Sequence, residues 1–106
     1  MEINKLVRDK IPQIIESNGE IAVFRIMNHT EYISGLESKL NEEVAEYHQE
    51  CEADKKMEEL ADLLEVIYAL CEAQGYTTDE LLDIYWKKHV ERGGFSERIF
   101  LISKEG

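Results

Sequence analysis

An all-α fold, a single helical bundle with two short terminal strand segments, is predicted by three features of this 106-residue sequence. Two long stretches, residues 30–52 and 54–74, place apolar residues at three- and four-residue steps. Helix-stopping pairs, Asn18-Gly19, Gln74-Gly75 and Gly93-Gly94, fall where helical patterns end. The apolar fraction of 43% and a single proline describe a chain with a packed core rather than a disordered one. At this length residues 1–106 make one domain.

Taken in order, residues 3–10 carry Lys5, Arg8 and Lys10 with no clear period. Asp9 is expected to cap a short helix that starts at Lys10, keeps Pro12 in its first turn and ends at Asn18-Gly19. Its inward residues are Ile11, Ile14 and Ile15. Residues 21–27, Ile-Ala-Val-Phe-Arg-Ile-Met, favour a short strand. The first long helix, residues 30–52, has one apolar stripe of Ile33, Leu36, Leu40, Val44, Tyr47 and Cys51. The second, residues 54–74, is expected to be capped by Asp54 and closed by Gln74-Gly75. It is apolar nearly all round, with Glu58, Glu65 and Glu72 as its one wet stripe. A helix of that kind is the centre of a bundle or a subunit interface. A third helix opens on the capping box Thr77-Thr-Asp-Glu80 and runs to Arg92. Its inward face is Leu81, Ile84 and Tyr85, continued by Lys88 and Arg92. The last segment alternates as a strand able to pair with residues 22–27.

The candidate chemistry lies in two acid-x-x-acid pairs, Glu43/Glu46 and Glu59/Asp62, one on each long helix. Residues three apart share a helix face, so each pair presents two carboxylates to one point. Two antiparallel helices can bring all four together, a site for a hard divalent cation such as Mg²⁺. At about 100° per residue, Glu43 lies roughly 60° from the centre of the apolar stripe and Glu42 roughly 160° away. Glu43 is therefore the direct ligand and Glu42 is expected to be solvated. Lys39, Glu46 and Glu50 lie further round on the Glu43 side. Glu59 falls among Leu63, Val66 and Leu70, where a carboxylate is costly unless paired or metal-bound. Lys88 and Arg92, two cations on an apolar face, suggest a shared anionic ligand.

Charge narrows the partners. With 12 Lys+Arg against 23 Asp+Glu, the chain lacks the basic balance that holds nucleic-acid polymers or anionic lipid. A nucleotide substrate stays open, because a bound metal reverses the local charge. The charged N-terminus does not read as a signal peptide. The apolar run Leu60–Cys71, broken by Asp62 and Glu65, is too short to span a membrane. Cys51 and Cys71 lack motif spacing and are expected to be reduced core thiols of a cytoplasmic protein. His29, His48 and His89 read as surface residues, and Tyr47, Tyr68, Tyr85 and Trp86 as core. Arg8 and Lys10 are assigned to ion pairs or a partner subunit.

The order Glu43-x-x-Glu46, twelve residues, Glu59-x-x-Asp62, followed by Leu-Leu-x-Val-Ile, resembles the metal-binding signature of MazG-like all-α nucleoside triphosphate pyrophosphohydrolases. The flanks Lys5-Leu-Val-Arg-Asp-Lys-Ile-Pro12 and Lys88-x-x-x-Arg-Gly-Gly-Phe95 resemble their small house-cleaning branch, often called phosphoribosyl-ATP pyrophosphohydrolase-like. The resemblance implies a helical bundle whose subunits associate as dimers or tetramers. It implies cleavage between the α- and β-phosphates, dependent on Mg²⁺ with Mn²⁺ as the alternative ion, to give a nucleoside monophosphate and pyrophosphate. The metal ligands would be Glu43, Glu46, Glu59 and Asp62. Lys88 and Arg92 would bind and stabilise the phosphates, with Lys39 and Glu50 on the substrate side, and Glu46 or Glu50 would act as base on the attacking water. Two other readings share these features: a non-catalytic helical interaction module, and a phosphoribosyl-ATP hydrolase of histidine synthesis.

Overall fold

Side-chain caps set where two of the four helices begin, and apolar periodicity sets how they pack. The computed structural model describes residues 1–106, which form four helices and no strand. Helix α1 (Ile11–Ser17) has Pro12 in its first turn, where the missing N–H costs nothing. Helix α2 (His29–Gln49) starts at a capping box. The Glu31 N–H donates to Asn28 Oδ1 at 2.9 Å, and the Asn28 N–H returns to Glu31 Oε1 at 3.1 Å. Arg25 grips the same carboxylate with two N–H groups, so the corner before α2 is fixed by one acid. Helix α3 (Ala53–Ala73) follows after three residues, and helix α4 (Thr78–Arg92) starts at the Thr77–Glu80 capping box.

Helices α2 and α3 form an antiparallel hairpin. Lys56 Nζ donates to the Tyr47 carbonyl at 3.0 Å and lies 4.3 Å from that ring's centroid. Further from the turn, Glu43 meets Glu59 and Asp62. Positions thus advance along α3 as they retreat along α2, which brings the two acid pairs to one level. Helix α4 packs on α3 and not on α2. Gly75, at φ +91°, lets the chain leave α3 and turn into α4.

The resulting body is long and thin, 64 × 35 × 22 Å, with a radius of gyration of 18.3 Å. A globular domain of about 100 residues has a radius near 13 Å. Accordingly only Leu36 and Val66 are buried apolar residues. Leu60, Leu64 and Ile67 on α3, and Ile84, Tyr85 and Trp86 on α4, stay exposed.

Several local expectations change. Helix α1 begins at Ile11 with Lys10 as its cap, and no side chain, Asp9 included, caps it. Helix α2 ends at Gln49 rather than residue 52, because Glu50 is extended. Helix α3 begins at Ala53 after Glu52, so Asp54 lies in its first turn rather than at the cap. Residues 21–27 and the C-terminal segment form no strands. Val23, Ile26, Ile99 and Phe100 are at least 80% exposed, and a two-stranded pairing needs a face to pack on. Cys51 is exposed rather than a core thiol, and Tyr85 and Trp86 are exposed because α4 has a neighbour on one side only.

Candidate metal centre

Glu43 is the third of the three buried residues in the chain, and the only charged one. Burial of a lone carboxylate is unfavourable, so its surroundings matter. Carboxylate oxygens of Glu43, Glu59 and Asp62 lie within 4.8 Å of one another across the α2–α3 interface, and those of Glu42, Glu43 and Glu46 do so along α2. Glu43 Oε2 and Glu59 Oε2 are both buried and neither receives a hydrogen bond. Two orphaned oxygens in a cluster of acids match the donor set of a hard divalent cation.

The electrostatics describe the same crowding. Burial first, then the hydrogen bond and charge of Glu46 and the charge of Asp62, push the Glu43 carboxyl up to about 7, against the pull of Lys39. Burial and Glu46 also raise Glu59, with Asp62 adding to them and Glu43 opposing. Like charges this close cannot all ionise, so the cluster holds a proton or takes a cation.

Three cations border it. Lys39 Nζ lies 3.5 Å from Glu42 and 3.9 Å from Glu43. Lys5 Nζ is 3.3 Å from the other oxygen of Glu42. Arg8 donates through Nη2 to Asp62 Oδ1 at 2.8 Å, the ion pair expected of this arginine. Beside α2, on the Lys39 and Glu42 side, opens a hollow of about 330 Å³ whose polar walls include Asn4, Lys5, Ser34, Ser38 and Lys39.

Glu42 is not the solvated residue that helical phase alone suggests. It is half-buried and held by Lys5 and Lys39. Burial raises its carboxyl, but those two lysines together hold it below its ordinary value. Residues 4–6 line the hollow beside α2, so the face opposite the apolar stripe is covered too. No periodicity within α2 reports that cover. The one available signal was a segment with three cations and no apolar period.

Of the other predicted site residues, Glu46 joins the cluster and Lys39 borders it. Glu50 ends α2, half-buried, with no ion pair of its own. Lys88 and Arg92 are exposed on α4, which does not pack on α2, and they pair with none of the acids. Helix α4 turns Leu81, Leu82 and Tyr85 towards Leu64, Ile67 and Tyr68 of α3 around an apolar hollow of about 310 Å³. That phase leaves the end of α4 free of the site.

No protein-family model matches the chain, and no solved structure matches it. A protein of Mycolicibacterium smegmatis, described as uncharacterized, is 48% identical over 42 residues. The match covers 40% of this chain and 43% of that protein, so the chain spans less than half of that relative's length.

Proposed function

We propose that this chain is a Mg²⁺-dependent, MazG-like nucleoside triphosphate pyrophosphohydrolase. It cleaves between the α- and β-phosphates to release a nucleoside monophosphate and pyrophosphate, in the house-cleaning of non-standard nucleotides. One observation carries the reading: Glu43 Oε2 and Glu59 Oε2, buried and without donors, stand with Asp62 in one cluster built from two helices. The donor set suits Mg²⁺, or Mn²⁺, and Glu43, Glu46, Glu59 and Asp62 would hold it. When bound, such an ion neutralises phosphate charge and makes a coordinated water more acidic.

The chain's own groups supply the rest. Glu46 stands inside the cluster whereas Glu50 ends the helix, so Glu46 is the better placed base. Lys39 borders both the cluster and the polar hollow, where it meets the polyphosphate. Lys88 and Arg92 reach the phosphates only if α4 of a second copy crosses the cluster. A homo-oligomer, dimer or tetramer, is part of the proposal for a separate reason. A chain that buries two apolar residues and exposes Leu60, Leu64 and Ile67 has a core left to complete. A cytoplasmic location goes with a nucleotide substrate, and no helix is long and apolar enough to cross a membrane.

The exposed apolar faces favour one other reading, a non-catalytic interaction module. Pyrophosphate release, assayed with Mg²⁺ over standard and modified nucleoside triphosphates and phosphoribosyl-ATP, separates the two. Release from at least one of them is expected. No release from any, by a folded protein, rejects the enzyme.

A further inference from the structure

Asp62 has two uses that conflict. Its carboxylate belongs to the cluster with Glu43 and Glu59, and its Oδ1 already accepts a hydrogen bond from Arg8 at 2.8 Å. A cation taking that carboxylate draws off the charge that holds the guanidinium. The pair is about half exposed on both sides, so parting it costs little. Arg8 comes from the segment before α1, and its neighbour Lys5 lines the polar hollow while paired with Glu42. Both residues lie outside the helices, with side chains about half exposed.

A guanidinium also suits polyphosphate better than an ammonium does, because its planar fork donates two parallel hydrogen bonds. Helix α4 of the same chain brings neither Lys88 nor Arg92 to the cluster. Arg8 is thus the arginine that this chain itself delivers to the acids. We infer that Arg8 is an exchangeable phosphate ligand: it holds Asp62 until a divalent cation takes that carboxylate, then passes to a phosphate oxygen of the substrate. This rests on the pyrophosphohydrolase reading and adds to it a specific substrate contact and an order of events.

Binding titrations test it without turnover. Mn²⁺ alone, then Mn²⁺ with tripolyphosphate, are titrated into the full chain and into Arg8→Gln. Removing the competitor should tighten Mn²⁺ alone by roughly threefold or more, while tripolyphosphate binding in the presence of Mn²⁺ weakens by roughly tenfold. Opposite signs are the signature, since a merely structural Arg8 would weaken both. Weaker Mn²⁺ binding, or tripolyphosphate binding unchanged within about twofold, overturns the inference. Arg8→Lys keeps the charge and guards against a folding defect. It should bind Mn²⁺ like the natural chain and tripolyphosphate several-fold less tightly, and unchanged tripolyphosphate binding there also overturns it. A natural chain that binds Mn²⁺ and tripolyphosphate with this exchange yet hydrolyses no nucleotide would reject the hydrolase and leave the exchange standing.

Discussion

Glu43 on α2 and Glu59 on α3 each bury a carboxylate oxygen that no donor reaches, and with Asp62 they bring their oxygens within 4.8 Å. Two acids so placed oppose folding unless something between them is gained.

Neutralising Glu43 should therefore stabilise the metal-free protein. Glu43→Gln removes a desolvated charge on the order of 1 kcal/mol in effect, or about 4–8 °C in Tm for a domain of this size. Mg²⁺ should raise the Tm of the natural chain and not of the variant. A lower Tm for the variant without metal would mean that Glu43 is structural.

The pH dependence follows from the same carboxyl, raised from 4.5 to about 7 in the folded state. Between those values the folded chain binds more protons than the unfolded one, so this group's contribution to stability falls as pH rises. Subtracting the Tm profile of Glu43→Gln from that of the natural chain should expose a downward slope from pH 4.5 to 7. Divalent cations must displace that proton, so calorimetry in buffers of different ionisation enthalpy should detect proton release on binding near pH 6 to 7. A flat difference profile would contradict the raised carboxyl.

Adjacent acids should behave differently. Glu43→Gln should reduce pyrophosphate release by roughly 100-fold, and Glu42→Gln by less than about tenfold, because Glu42 already has Lys5 and Lys39 as partners. Equal losses would place Glu42 among the direct ligands.

Assembly can be read by light scattering, with a dimer or larger expected at micromolar concentration. Met57→Glu and Leu60→Glu, exposed on α3 and outside the hollow it shares with α4, should dissociate it and lower its Tm. If α4 of a second copy serves the cluster, mixing the inactive Glu43→Gln chain with a Lys88→Ala/Arg92→Ala chain should restore part of the activity. A monomer would remove Lys88 and Arg92 from the site.

The local features were legible because they depend on neighbours in the chain. Three- and four-residue apolar steps specify α2 and α3, hydroxyl–acid spacing specifies the start of α4, and an acid among Leu63, Val66 and Leu70 marks Glu59 as out of place. Even the ranking of Glu43 above Glu42 in burial follows from helical phase. The partners of those residues come from distant parts of the chain, and phase within one helix carries no information about them. Packing decided that Lys5 covers Glu42, that Arg8 takes Asp62, and that α4 turns Lys88 and Arg92 away from α2. It also left the apolar residues of 21–27 and of the C-terminal segment without a ladder, since strand propensity acts only where another strand and a covering face are present.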